Sequence, residues 1–114
     1  MMMLSTAVKV YVAAEPIDMR KSIDSLSMLV GPMFDQDALS GHVFYGRRRD
    51  KIKVLVYDRT GFGLMYKRFE SGSLADPATI ARRGISLAEL TTWLEGIDVG
   101  VCRRVRAVNA TVVA

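Results

Sequence analysis

The feature that most constrains the fold is a run of alternating residues, 51–58, joined to a second run, 62–70, by Asp58-Arg59-Thr60-Gly61. In the first run Ile52, Val54 and Val56 alternate with Lys51, Lys53 and Leu55, and a period of two puts the β-branched side chains on one face of a strand. Aspartate and glycine at the junction are turn formers, so the two runs read as a hairpin. Pairing Tyr57 with Phe62 sets Leu55 opposite Leu64, Lys53 opposite Tyr66 and Lys51 opposite Arg68. One face then carries Lys51, Lys53, Tyr66 and Arg68, and the apolar face of Ile52, Val54 and Val56 must be covered by helices. A slip of one residue brings Lys53 opposite Lys67 and still leaves a basic face.

A third strand-like run, 42–47, precedes Arg48, Arg49 and Asp50, which extends the hairpin to a three-stranded antiparallel meander. Residues 8–13, rich in valine, read as a further strand. From Met19 the period changes: Met19, Ile23, Leu26, Val30 and Met33 recur at steps of three and four, which predicts a helix over 19–31 capped by Asp18 and stopped at Gly31-Pro32. Residues 71–84, marked by Gly72, Pro77 and Gly84, read as a long loop. Ser86 and Glu89 match a capping box, flanked by Ile85 and Leu90 as a hydrophobic staple, so a second helix should run from there to Glu95 and end at Gly96. The expected fold is α+β: a mostly antiparallel sheet of about four strands with two helices packed on one face. Residues 1–102 are expected to form one domain, followed by a basic tail or added strand over 103–114.

Charge concentrates in the meander. Residues 47–68 hold eight basic and two acidic side chains, against a net charge of only +4 for all 114 residues. Cations spaced along a sheet neutralise phosphates, tyrosines stack on bases, and arginines on a turn tip can grasp phosphate or guanine in a bidentate manner. Arg47, Arg48, Arg49, Lys51, Lys53, Tyr66, Lys67 and Arg68 are therefore candidate nucleic-acid contacts. A solvated outer face that discourages edge pairing would have the same composition.

Enzymatic chemistry finds little footing. One cysteine, Cys102, and one histidine, His42, cannot assemble a structural zinc site or a two-histidine metal site, and His42 is the sole imidazole for any triad. Asp58 and Glu70 flank the second hairpin strand, as carboxylates of a metal nuclease do, but no lysine stands two positions beyond Glu70. No metal or cofactor is implied. Lys9 interrupts the apolar start of the chain, and no uncharged run reaches the roughly 18 apolar residues of a membrane span, so the expectation is a cytoplasmic protein with no membrane partner.

Six segments, in order, resemble a known family: Asp18-Met19-Arg20-Lys21-Ser22; Ser40-Gly41-His42-Val43-Phe44; Arg47-Arg48-Arg49-Asp50-Lys51-Ile52-Lys53; Tyr57-Asp58 with Gly61-Phe62; Tyr66-Lys67-Arg68-Phe69-Glu70-Ser71-Gly72; and Leu94-Glu95-Gly96-Ile97-Asp98. Together they resemble the TnpB accessory proteins of insertion sequence sixty-six elements over about residues 8–98. Those proteins are unrelated to the RNA-guided nucleases of the same name. The resemblance implies a bacterial mobile-element protein that works in transposition beside a separate, larger transposase, and it carries no catalytic residue across. It also draws in Arg20 and Lys21, cations at the expected start of the first helix, where they oppose the helix dipole unless a phosphate or an acidic neighbour meets them. The function expected is a non-catalytic accessory protein of DNA transposition that binds DNA through its basic hairpin face, with the transposase as partner. A protein adaptor that docks on the transposase without touching DNA would use the same charges, and a small metal-dependent nuclease using Asp58 and Glu70 is the remaining alternative.

Overall fold

A computed structural model of the chain describes residues 8–31 and 39–99. The expected tail over 103–114 and Cys102 lie outside the described residues. Seven elements follow one another: β1 (Lys9–Val12), α1 (Ile23–Leu29), β2 (Ser40–Tyr45), β3 (Lys51–Tyr57), β4 (Phe62–Arg68), α2 (Pro77–Arg83) and α3 (Leu87–Leu94). The strands form one sheet in the order β1-β2-β3-β4. The meander β2-β3-β4 is antiparallel, and its last hairpin has the predicted register, Tyr57 with Phe62 through Lys51 with Arg68. β1 joins β2 in parallel, with Lys9 beside Ser40 and Val12 beside Val43. A parallel neighbour requires a crossover connection, and the segment carrying α1 supplies it.

The β3–β4 turn is encoded locally. One carboxylate oxygen of Asp58 accepts from the Thr60 N–H at 3.0 Å, the Thr60 hydroxyl at 2.7 Å and the Gly61 N–H at 3.1 Å. With the turn closed in this way, the strand register follows.

Strand alternation then divides the core in two. Val43 and Tyr45 of β2 and Ile52, Val54 and Val56 of β3 are buried on one face with Ile80 of α2 and Leu90 and Trp93 of α3. Phe44 and Leu55 are buried on the opposite face with Leu26 and Val30. The helices therefore lie on both sides of the sheet, α1 on one and α2 and α3 on the other, which corrects the expectation of two helices on a single face. Alternation predicted that Ile52, Val54 and Val56 would meet helices; it held no information on where the first helix would go.

Two helix boundaries also differ from expectation. α1 begins at Ile23 with Ser22 as N-cap, not at Met19 with Asp18 as cap. The Asp18 carboxylate is occupied by Arg20, accepting the backbone N–H at 2.9 Å and the guanidinium at 2.8 to 3.2 Å. Residues 71–84, expected to be a loop, contain α2. Pro77 begins this helix, where its missing N–H costs no helical hydrogen bond, and Gly84 at φ 89° ends it. The punctuation that bounds a loop also bounds a two-turn helix. α3 starts as predicted, with Ser86 Oγ accepting from the Glu89 N–H at 3.1 Å and Glu89 Oε1 accepting from the Ser86 N–H at 3.1 Å. Trp93, fully buried, donates its indole N–H to the Ala75 carbonyl at 2.7 Å and so ties α3 to the segment entering α2.

Candidate nucleic-acid interface

The β2–β3 turn presents Arg47, Arg48 and Arg49, all exposed, at one end of the sheet. Its backbone is pinned at several points. The Gly46 N–H donates to the Lys51 carbonyl at 3.1 Å, and the Arg49 N–H donates to the Gly46 carbonyl at 2.9 Å. Outside the turn, Leu74 donates its N–H to the Arg49 carbonyl and Phe69 to the Asp50 carbonyl, each at 2.7 Å. Arg49 itself has φ 61°, a left-handed conformation that costs a non-glycine residue about 1 kcal/mol or more. Those bonds from the segment after β4 hold it there.

Met19 supports the turn from beneath. A Cβ on Gly46 would stand 2.9 Å from Met19 Cγ, so a larger residue at position 46 would displace the Met19 side chain that packs there. The same segment is stitched to β2 by Ala13 donating to the Val43 carbonyl and Ile17 to the Tyr45 carbonyl, both at 2.9 Å. Arg20 and Lys21 are thereby carried to the same end of the sheet as the arginine turn. Sequence reasoning missed this supporting role of Gly46 and Met19; the visible signal was a glycine placed directly before the arginine run.

On the hairpin, Lys51, Lys53, Tyr66 and Arg68 share one face, as predicted, but it is the face that also carries α1. Along β3 the environment grades from exposed Lys51 through half-buried Lys53 to buried Leu55. Lys53 Nζ donates to the Lys21 carbonyl at 2.7 Å and lies 5.6 Å from the centroid of the Tyr66 ring. Its charge is thus held between the segment before α1 and the tyrosine. Tyr66 is 52% exposed. Lys67 points to the other face of the sheet: its Nζ donates to the Leu94 carbonyl at 2.6 Å and sits over the Phe69 ring at 4.8 Å. A cation on the last carbonyls of a helix satisfies an orphan acceptor and complements the dipole.

Two of the cations have carboxylate partners. Arg20 pairs with Asp18 at 2.8 Å and Arg68 with Glu70 at 3.3 Å, all four side chains being exposed. Hydrogen bonds from the Arg20 guanidinium first and from the Arg20 backbone N–H second hold the Asp18 carboxyl down at about 2. Arg47, Arg48, Arg49 and Lys51 make no ion pair among the described residues.

The two carboxylates of the nuclease alternative do not meet. Asp58 lies in the turn before β4 and Glu70 lies beyond its far end, so the strand separates them by roughly 20 Å. Among the described residues no group of three or more His, Cys, Asp or Glu side chains could hold a metal ion.

Residues 8–104 match the model of the IS66 Orf2 like protein family. The chain belongs to that family. It is 29% identical over 97 residues to the uncharacterized protein y4jC of Sinorhizobium fredii, spanning 82% of this chain and 83% of that protein. It is 34% identical over 94 residues to the uncharacterized protein y4hO of the same organism, spanning 80% of this chain and 82% of the relative. No solved structure matches the chain. Membership in the IS66 Orf2-like family implies an accessory protein associated with transposition. No helix among the described residues of this family member is long and apolar enough to cross a membrane.

Proposed function

We propose that this IS66 Orf2-like protein is a non-catalytic accessory factor of DNA transposition that grips the phosphate backbone of element DNA with its arginine turn, beside the transposase of the same element. The observation carrying this reading is the arrangement at the β2–β3 end. Arg47, Arg48 and Arg49 project from a turn pinned by backbone bonds from the segment after β4, Lys51 and Arg68 stand next to it, and Arg20 and Lys21 are brought up from the segment before α1. A pinned turn places its guanidinium groups with little loss of backbone entropy on binding, which favours a bidentate grip on phosphate. The Arg20–Asp18 fork has the geometry in which a phosphate would replace the carboxylate.

Within this reading the cations divide by role. Arg47, Arg48, Arg49 and Lys51 contact phosphate directly, Arg20 and Arg68 do so on release from their carboxylates, and Tyr66 lies beside them as a surface on which a base can stack. Lys53 orders Lys21 and Tyr66, and Lys67 secures α3. The test is equilibrium binding, by fluorescence anisotropy, of duplex and single-stranded DNA from the element's terminal repeat. Arg47→Ala/Arg48→Ala should weaken both by about tenfold or more at low salt. If the wild-type protein binds neither DNA yet is retained by the cognate transposase, the arginine turn is a protein-docking surface and the adaptor reading replaces this one.

A further inference from the structure

Among the described residues Tyr66 is the only aromatic side chain left exposed, and it lies on β4, an edge strand of the sheet. Its surroundings follow from the register. Tyr66 is paired with Lys53, and one row nearer the arginine turn, about 7 Å along the strand, Arg68 is paired with Lys51. One row in the other direction come Leu55 and Leu64, which pack with Leu26 and Val30 on the α1 side of the sheet. Lys53 links the ring to the segment before α1: its Nζ donates to the Lys21 carbonyl at 2.7 Å and stands over the Tyr66 ring, 5.6 Å from the centroid. The ring is therefore backed by an anchored cation, with Lys51 and Arg68 on one side and the helix on the other.

We propose that Tyr66 is a stacking site for one unpaired base, so that single-stranded DNA gains a contact at the basic end that continuous duplex cannot make. This rests on the phosphate grip proposed above and adds to it the class of DNA structure recognised. Stacking needs a free face on each partner, and inside a duplex both faces of every base are covered by its neighbours, so the base that meets Tyr66 is unpaired. Intercalation of the ring between base pairs is the other route to a stack, and it would bury both faces of the tyrosine. Lys53 already stands over one of them, which leaves the ring a single face to offer. The helix sets the same limit from the protein side. α1 rises from this face of the sheet one row beyond Tyr66, so a duplex running along the hairpin from the arginine turn meets the helix, whereas a single strand can turn aside after its stacked base. Lys51 and Arg68 stand within one nucleotide's reach of the ring and hold the phosphates next to that base. Every base has a π-face, so the contact selects an unpaired strand and not a sequence.

The test is equilibrium binding of the full chain to three probes: a thymine oligonucleotide of about 12 residues, an abasic oligonucleotide of the same length, and a covalently closed duplex circle, which has no ends. The wild-type protein should bind the thymine strand about tenfold more tightly than the abasic strand, whose phosphates are the same. Tyr66→Leu should bring the thymine strand down to the abasic level and leave binding to the circle unchanged, while Tyr66→Phe, which keeps the ring and loses the hydroxyl, should retain the tenfold preference. Arg47→Ala/Arg48→Ala should weaken all three probes and preserve the ratio between the two strands. Equal binding of the thymine and abasic strands by the wild-type protein would overturn the base site and leave the phosphate grip standing. A loss in Tyr66→Phe as large as in Tyr66→Leu, or an equal loss on the circle, would overturn stacking as the cause. Failure of the wild-type protein to bind any of the three would overturn the phosphate grip and this inference with it.

Discussion

If the arginine turn grips phosphates, the salt dependence of binding reports how many cations take part, and the structure supplies the count. Arg47, Arg48, Arg49 and Lys51 have no ion pair among the described residues, so each phosphate they neutralise releases a DNA counterion with no return, whereas Arg20 and Arg68 each free a carboxylate that takes up a cation in exchange. Four contacts at about 0.9 each on duplex DNA give a log–log slope near −3.6, and near −2.8 on a single strand. On the duplex, raising salt from about 50 to about 200 mM should then weaken binding by roughly 150-fold. Arg47→Ala/Arg48→Ala should reduce the slope to about −1.8 and the same loss to about 12-fold. Lys67→Ala is the control: its amine is bonded to the Leu94 carbonyl on the opposite face, so the variant should melt earlier and keep the wild-type slope. Anisotropy titrations at several salt concentrations measure all three proteins. An unchanged slope in the arginine double variant, or a slope as flat in Lys67→Ala, would refute the assignment of phosphate contacts to the turn.

Four further outcomes follow from the geometry. Ser86→Ala removes one half of the α3 capping box and should cost about 1 kcal/mol, a fall of about 5 °C in the thermal melt. Arg49→Gly should melt higher than Arg49→Ala, by about 1 kcal/mol, because only glycine adopts φ 61° without strain, while both variants lose the same increment of salt slope. In carbon-detected NMR the Asp18 carboxyl should titrate at about 2 and return toward its ordinary 3.8 in Arg20→Ala; since the folded value is the lower one, the stabilisation is present above pH 3.8 and is lost as the pH falls towards 2. Burial depresses the His42 pKa below 6.5, so the unfolded chain takes up the proton more readily; the melting temperature should fall as the pH drops below 6.5, and His42→Leu should flatten that fall.

The parts of this molecule legible in its sequence are those fixed by neighbours along the chain. The hairpin register was readable because Asp58 binds Thr60 and Gly61 within its own turn, and the α3 start because Ser86 and Glu89 bond each other. The parts that were not legible depend on distant partners. Lys53 and Lys67 look like any other exposed cations in the stripe, yet their amines bond carbonyls 32 and 27 residues away, at Lys21 and Leu94. Neither acceptor could be anticipated without knowing that α1 lies on one face and α3 on the other. Asp18 was read as a helix cap because aspartate before an apolar stripe usually is one; the arginine two residues on competes for the same carboxylate and wins it with four hydrogen bonds.

The same distant contacts explain why the basic stripe separates into two kinds of cation. A lysine in the middle of a sheet face is within reach of whatever packs there, and its flexible stem lets the ammonium find a carbonyl, as Lys53 and Lys67 do. Residues on a turn beyond the last ladder pair have no packed neighbour to find. Their charges stay available, and their positions depend on the backbone alone. At Arg49 glycine would suit φ 61° better, but it would remove an exposed guanidinium. The left-handed arginine is held by the N–H groups of Leu74 and Phe69, which donate to the Arg49 and Asp50 carbonyls. Met19 against Gly46 adds to that support from the other side, so the turn is gripped by segments before and after the meander. The cations best suited to bind a partner are therefore those that the fold positions through the backbone while leaving the side chains unbonded.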